Sequence, residues 1–206
     1  MRIAIISSVY KATPPVGYGG IERVVFNLTE ELVKQGNDVI LFAAPGSYCS
    51  GKTIEVRCSE HLQTPSGVLK KSDVISEEPL YLSMRQYLDD NPVDIIHDWS
   101  FQNLYVLRHP ESFPFIISTC IPPTEDYKRP NLVASSAAHA RLCGAATRYV
   151  HYGLNLDEYK YNYSKKDYFI HIAKIARYKG QHLAVQAFRK TTEKLKVAGN
   201  IEGQIY

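Results

Sequence analysis

Apolar residues recur at two different spacings in the first 43 residues of the chain. Residues 2–8 and 38–43 are short, nearly continuous apolar runs, which are typical of buried strands. The apolar residues between these runs follow steps of three and four, as on one face of a helix: Ile21, Val24, Val25, Leu28, Leu32 and Val33. Because Gly36 and Asn37 end that helix, the pattern predicts a strand–helix–strand unit with parallel strands and a right-handed crossover.

Further short apolar runs alternate with helical segments as far as residue 153. The pattern predicts a helix over residues 79–90, a helix of small residues after 136, and strands over residues 54–57, 93–97, 115–119, 132–136 and 147–151. This alternation is typical of doubly wound α/β proteins. We therefore predict that residues 1–153 form a Rossmann-like domain with a doubly wound parallel sheet.

The same pattern starts again after a polar segment, residues 154–167, that is rich in Tyr, Lys and Asn. It predicts a strand over 168–173, a loop over 174–180, a helix over 181–194 and a strand over 195–198. Residues 154–206 are thus predicted to form a linker and a second, truncated Rossmann-like module. A parallel sheet of two strands cannot cover its own faces and edges. We expect this module to be cut from a longer protein, or completed by another polypeptide or a second copy.

Composition excludes several classes of function. With 45% hydrophobic and 22% charged residues the chain is an ordinary globular sequence, and its net charge of +3 is too small to indicate a nucleic-acid partner. Its apolar runs fall short of the roughly 20 residues of a membrane span. The four cysteines lack C-x-x-C spacing, which argues against zinc and is typical of reduced thiols. We therefore expect a cytoplasmic protein without a metal site.

The loop after the first strand carries the most informative local sequence, T-P-P-V-G-Y-G-G-I-E over residues 13–22. Glycines at positions 17, 19 and 20 allow positive φ angles or a close approach of the backbone to a ligand. Free N–H groups at the start of the following helix favour an anion. The spacing fits neither G-x-G-x-x-G nor a Walker loop. On spacing alone, phosphate or carboxylate binding and a plain flexible connection remain equal alternatives.

Four segments, taken in order, resemble family 4 glycosyltransferases of the two-domain GT-B fold. They are Y-G-G-I-E at 18–22, V-D-I-I-H-D-W at 93–99, V-H-Y-G-L-N-L-D-E-Y at 150–159 after S-S-A at 135–137, and I-A-K-I-A-R-Y-K-G at 172–180. The resemblance covers most of the chain. It implies an N-terminal acceptor-side domain followed by the start of the C-terminal domain that binds a nucleotide sugar, with a cleft between the two.

The resemblance implies transfer of a hexose from a nucleotide diphosphate sugar, with retention of configuration, to a sugar, lipid or small-molecule acceptor. Such a reaction must neutralise a leaving diphosphate and hold the acceptor hydroxyl in place. The chain has no D-x-D pair for a metal ion. The resemblance therefore implies a metal-independent reaction without a cofactor, in which Lys174 and Lys179, with Gly19 and Gly20, bind the donor phosphate or sugar.

His97 is the predicted catalytic residue. It ends an apolar strand, where open α/β sheets bind ligands, and the resemblance implies that it contacts the donor sugar or positions the acceptor. Glu125 and Asp126 follow two prolines after another strand and are candidate acceptor-side residues. The structural alternatives are a histidine satisfied within the fold, and loop carboxylates and lysines that are simply solvated.

The sequence also departs from the family pattern. Lys174 stands where the family usually has Arg, Ala173 replaces Gly, His151 and Tyr152 replace an Asn neighbourhood, and the later E-x7-E segment has no counterpart. We therefore expect the chain alone to show little or no transferase activity. A non-catalytic nucleotide-sugar-binding remnant, half of a split enzyme and a nucleotide-sugar epimerase remain alternatives, as does peripheral contact with a membrane.

Overall fold

The structure is a computed structural model that describes residues 1–58, 76–120, 129–144 and 148–201. These residues fall into two compact units, the first ending at Asn155 and the second beginning at Leu156. In the described part of the chain, no helix combines the length and the apolar character needed to cross a bilayer.

Unit 1 is built on a sheet of seven parallel strands. Its strands are β1 (Arg2–Ile6), β2 (Asp38–Ala43), β3 (Lys52–Glu55), β4 (Ile95–Asp98), β5 (Phe115–Ser118), β6 (Leu132–Ala134) and β7 (Arg148–Tyr149). Its helices are α1 (Gly20–Lys34), α2 (Glu78–Asp90), α3 (Leu104–Arg108) and α4 (Ala137–Cys143). The strand order is β3-β2-β1-β4-β5-β6-β7, so the direction of winding reverses between β1 and β4. This confirms the predicted Rossmann-like doubly wound sheet.

The core of unit 1 lies against two neighbouring strands, β1 and β2. Ile5 in β1 and Leu41 in β2 are completely buried, and the apolar stripe of α1 packs on them through Val25. Trp99, just after β4, belongs to the same cluster. Helix α1 is amphipathic because its apolar residues recur at the period of the helix, and this stripe covers one face of the sheet.

Three of the differences between the predicted and the observed elements have a clear cause in the structure. Strand β3 begins two residues earlier than predicted, because its pairing with β2 places Lys52 opposite Ile40. Helix α3 was not predicted; it follows Asn103, which has a left-handed φ of 53° and lies buried in its loop. The helix predicted over 181–194 ends at Phe188, because Arg189, Lys190 and the two threonines that follow supply no apolar residue to continue its stripe.

Unit 2 contains a second strand–helix–strand unit. Strand β8 (Phe169–Ile172), helix α5 (Gln181–Phe188) and strand β9 (Leu195–Ala198) are joined in a parallel pair, with Phe169 opposite Leu195. Helix α5 contacts β8 through the rings of Phe188 and Phe169, whose centroids lie 5.1 Å apart. Beyond β9 a side chain at Gly199 would overlap the carbonyl of Ala173, so glycine permits the close approach of the two loops.

Candidate functional site

The candidate site of unit 1 lies where β1 and β4 end. The two strands are neighbours, with Ile5 opposite His97 and Ile6 opposite Asp98. Because the strands are parallel, the loop that follows β1 and the residues that follow β4 emerge at the same edge of the sheet. This edge is also the point at which the strand order reverses, where open α/β sheets bind ligands.

His97 and helix α1 lie on the same face of the sheet. Ile95 and Trp99 pack into the cluster that contains Val25 of α1. Side chains alternate between the two faces of a strand, so His97, which lies midway between Ile95 and Trp99, points to this face as well. The structure therefore brings His97 and the Gly19–Gly20 end of α1 to one edge and one face.

The imidazole of His97 is held on two sides. Its Nε2 lies 2.9 Å from Oγ of Ser118 on β5, and its ring centroid lies 5.1 Å from that of Trp99. Burial lowers the pKa of His97 from 6.5 to about 4, so the ring is neutral at pH 7. Nδ1 makes no hydrogen bond to any described residue. A neutral imidazole in this state can donate or accept a hydrogen bond but carries no charge.

The loop between β1 and α1 is fixed by buried hydrogen bonds at its start. Oγ of Ser7 and Oγ1 of Thr13 lie 2.6 Å apart, and the backbone N–H of Thr13 donates to Oγ of Ser47 at 2.8 Å. Ser7 and Thr13 are both completely buried. The loop is therefore pinned to the body of unit 1, which argues against the plain flexible connection that its sequence left open.

The two glycines at the start of α1 occupy different environments. A Cβ added at Gly19 would lie 2.5 Å from Cβ of Pro15 and 2.9 Å from Oε2 of Glu22, so this position has no room for a side chain. A Cβ at Gly20 would meet nothing within 4 Å. Gly17, the third glycine of the loop, has a positive φ of 80°. Gly19 is thus required by packing, whereas Gly20 leaves open space at the helix start.

Glu22 has a structural role that the sequence did not indicate. It lies in the first turn of α1, where an acid complements the helix dipole, but its side chain is only 4% exposed and accepts a hydrogen bond of 2.5 Å from Oγ of Ser8. The hydroxyl of Ser8 also accepts the backbone N–H of Tyr10 at 3.2 Å. Glu22 and Ser8 therefore tie the end of β1 to the first turn of α1.

Two buried carboxylates fix the backbone that follows β4 by accepting hydrogen bonds from its N–H groups. Asp98 accepts the N–H of Ser100 at 2.8 Å, and Glu77 accepts the N–H groups of Phe101 and Gln102 at 2.9 and 2.7 Å. Burial raises the pKa of both acids above their ordinary values, while these hydrogen bonds lower it. Sequence reasoning did not single out Glu77, because its partners lie far along the chain.

The two candidate lysines lie together in the loop between β8 and α5 of unit 2. The carbonyl of Lys174 accepts a hydrogen bond of 2.9 Å from Nε2 of Gln181, and the side chain of Lys174 is half-buried. Lys179 is exposed, with Nζ 5.2 Å from the ring centroid of Tyr178. Gly180, with a φ of 75°, then begins α5. The loop follows the carboxyl end of β8 and leads into α5, at the position predicted for a loop between these elements.

Two predicted residues cannot be placed. Glu125 and Asp126, the candidate acceptor-side pair, lie outside the described residues. Among the residues that the structure describes, no three His, Cys, Asp or Glu side chains come together in a group that could hold a metal ion.

Comparisons with solved structures give the same fold. AviGT4, a glycosyltransferase involved in avilamycin A biosynthesis, matches with a TM-score of 0.63 at 20% identity, over 98% of this chain and 64% of that protein. Sucrose-phosphate synthase from Thermosynechococcus elongatus matches with a TM-score of 0.70 at 18% identity, over 96% of this chain and 62% of that protein. The chain thus spans less than two thirds of either relative.

Comparisons of sequence locate the family. A search of curated protein sequences gave no match. The sequence model of Glycosyltransferase Family 4, however, matches residues 18–120, which make up half of the chain. The matched residues contain the Gly19–Gly20 loop and His97. On this match, and with the Rossmann-like fold of unit 1, the chain belongs to Glycosyltransferase Family 4.

Proposed function

We propose that this chain is the acceptor-side domain of a cytoplasmic glycosyltransferase together with the beginning of its nucleotide-sugar-binding domain. The proposed reaction moves a hexose from a nucleotide diphosphate sugar to a sugar, lipid or small-molecule acceptor, with retention and without a metal ion. The observation that supports it best is the position of His97 and the Gly19–Gly20 end of α1 at one edge and face of the sheet.

In unit 1, the start of α1 is suited to an anionic oxygen. Gly19 precedes the helix, and none of the described side chains caps its first N–H groups. These groups, with the positive end of the helix dipole, are a ready donor set for a phosphate or carboxylate. Arg23 and Lys11 donate to the loop carbonyls of Gly17 and Tyr18 at 2.9 and 2.7 Å, which adds positive charge beside the loop.

His97 would act as a hydrogen-bonding group and not as a charged one. Its lowered pKa keeps the ring neutral at physiological pH, and Ser118 already engages Nε2. The remaining nitrogen, Nδ1, is suited to a sugar hydroxyl, since a neutral ring nitrogen can accept or donate according to its tautomer. His97 would thus orient donor or acceptor while other groups neutralise the diphosphate.

In unit 2, Lys174 and Lys179 are the groups proposed to bind the donor diphosphate. Both lie in one loop that leads into α5, and lysine acts on phosphate as a point charge. Lysine at position 174 lacks the bidentate geometry that arginine offers to phosphate. We therefore expect weaker fixation of the diphosphate at this position than an arginine would give.

A second candidate function is nucleotide-sugar binding without catalysis by this chain alone. The chain would then be one half of a split enzyme or a non-catalytic remnant. It is supported by the exposure of the described part of unit 2, where β8 and β9 pair with each other and most of their residues are exposed. Exposed apolar strands favour association with another chain or copy. Light scattering of the isolated chain should therefore show self-association, and a stable monomer would argue against this completion.

A sugar-transfer assay tests whether the chain needs completion for transfer and whether it epimerises a nucleotide sugar. The chain would be incubated with UDP-glucose, GDP-mannose, ADP-glucose and dTDP-glucose, and the products separated and identified by mass spectrometry and sugar analysis. We expect little release or transfer of sugar by the isolated chain. Rapid unaided transfer would contradict the need for completion, and an epimerised nucleotide sugar with no transfer would favour the epimerase.

A further inference from the structure

Tyr152 is one of the last residues of unit 1, and its side chain contacts the residues that follow β5. Its hydroxyl donates a hydrogen bond of 3.0 Å to the carbonyl of Thr119, and it also hydrogen-bonds the side chain of Cys120. Burial raises the pKa of Tyr152 above its usual value, so the hydroxyl remains a donor at physiological pH. Tyr152 is therefore anchored next to Ser118, the residue that engages His97.

The ring of Tyr152 is the outermost of three rings in contact. Its centroid lies 5.8 Å from that of Trp99 at an interplanar angle of 49°, and Trp99 lies 5.1 Å from His97 at 37°. Tyr152 is 36% exposed, whereas Trp99 is 6% exposed. Tyr152 thus packs on Trp99 from the solvent side, and His97 lies at the buried end of the three rings.

Packing contacts, and not a hydrogen bond to any described residue, hold the Trp99 indole. Its buried Nε1–H finds no hydrogen-bond partner among the residues that the structure describes. A buried indole usually directs its N–H to an acceptor, which fixes the ring. Without such a bond, the contacts with neighbouring side chains, including the Tyr152 ring, hold the indole against His97.

We propose that Tyr152 is a positioning residue for His97. Its hydroxyl fixes the phenol ring to the end of β5, the phenol ring holds the Trp99 indole, and the indole with Ser118 fixes the imidazole. This inference rests on the proposed role of His97 in glycosyl transfer. Tyr152 has no direct contact with the imidazole, so it would act through Trp99.

The chain provides its own probe, because Trp99 is its single tryptophan. Acrylamide quenching of the fluorescence of the full chain would be compared for wild type, Tyr152→Ala and Tyr152→Phe. Tyr149→Ala is the matched control, since Tyr149 is also exposed and contacts His151 and not Trp99. We expect a severalfold larger quenching constant for Tyr152→Ala, a smaller increase for Tyr152→Phe, and no change for the control.

The second readout is the titration of His97 by NMR of labelled imidazoles, assigned with His97→Gln. Wild type should titrate near pH 4, whereas Tyr152→Ala should move the pKa of His97 toward 6.5 because water gains access to the ring. A mere loss of stability without repacking of the three rings would leave that pKa unchanged in the folded protein. Tyr152→Phe, which keeps the ring but loses its hydrogen bond to Thr119, should shift the pKa of His97 in the same direction by a smaller amount.

Unchanged quenching and unchanged His97 titration in Tyr152→Ala would overturn the proposal. If Tyr152→Ala loses its circular dichroism spectrum, Tyr152→Phe decides, and quenching equal to wild type in that variant would overturn it as well. Both readouts use the chain without ligand. Failure of the proposed function would appear separately, as the absence of nucleoside diphosphate binding by the wild type.

Discussion

The two strand–loop–helix units of this chain share one sequence pattern but differ in burial. In unit 1 the first strand is almost entirely buried, and Ile5 has no exposed surface. In unit 2 the corresponding strand is mostly exposed, and Ile170 is 51% exposed. The local pattern is therefore sufficient to specify strand, helix and parallel pairing, whereas burial depends on neighbouring strands.

The neighbours account for the difference. Strand β1 is paired on both sides, with β2 and β4, and α1 is a helix of 15 residues that covers this region. Among the described residues β8 pairs with β9 alone, and α5 has 8 residues. A candidate catalytic group in unit 1 thus stands on a rigid core, and the candidate phosphate-binding loop in unit 2 stands on a smaller one.

The largest expected effect is the difference in stability between matched side-chain truncations in β1 of unit 1 and β8 of unit 2. Ile5→Ala should lower the free energy of unfolding by about 2–5 kcal/mol, because it leaves a cavity in a packed core. Ile170→Ala should change it by less than about 0.5 kcal/mol, as for a surface substitution. Chemical denaturation measures both. Equal losses would show that the strand of unit 2 is as well covered as that of unit 1.

The next largest effect is a difference in stability between alanine substitutions at Gly19 and at Gly20, at the start of α1. Gly19→Ala should destabilise unit 1 by about 1–3 kcal/mol, since the new Cβ must displace Pro15 or Glu22. Gly20→Ala meets open space and should be neutral or slightly stabilising, because alanine is favoured in a helix. Thermal and denaturant unfolding would test this. Similar losses for the two variants would contradict the packing role assigned to Gly19.

A smaller effect is the change in folding stability with pH that the titration of His97 causes. The folded pKa of His97 is about 4 and its ordinary value is 6.5, so between these values the unfolded chain binds a proton that folded His97 does not. Lowering the pH from 7 to 5 should therefore cost roughly 1–2 kcal/mol of stability through His97. His97→Gln should lack this contribution, and Glu77 and Asp98 titrate in both proteins. Identical pH dependence in wild type and His97→Gln would contradict the burial of this ring.

The smallest expected effect is that of metal removal. The resemblance implies fixed positive groups and no metal ion, so EDTA should leave the affinity for a nucleoside diphosphate unchanged. Isothermal titration calorimetry with and without EDTA measures this directly. Loss of binding that Mg²⁺ or Mn²⁺ restores would contradict the metal-independent proposal.

Sequence was sufficient for elements that local pattern determines. Strands β2 and β9 were predicted at their observed residues because each apolar run is bounded by glycine, asparagine or charged residues. Helix α3 was missed because its five residues lack a helical period, and its start is set by the buried Asn103. The motifs also singled out His97 and the glycine loop, which the structure brings to one edge of the sheet.

The remainder of the candidate site depends on contacts between distant residues. Glu77 bonds the backbone of Phe101 and Gln102, and Tyr152 contacts Trp99, although nothing in their local sequence indicates these partners. The distinction between Gly19 and Gly20 likewise required the position of Pro15. Such pairings follow from the folded chain and could not be predicted from composition or periodicity.

The most direct test of the proposed function is titration calorimetry of the full chain with UDP, GDP, ADP and dTDP. Lys190→Ala is the control, because Lys190 is an exposed lysine of unit 2 outside the β8–α5 loop. One nucleoside diphosphate should bind, and Lys179→Ala should weaken it by about 1–3 kcal/mol, the usual worth of a charged hydrogen bond, while Lys190→Ala has no effect. Absence of binding for all four, or equal affinity in Lys179→Ala and wild type, would contradict the assignment.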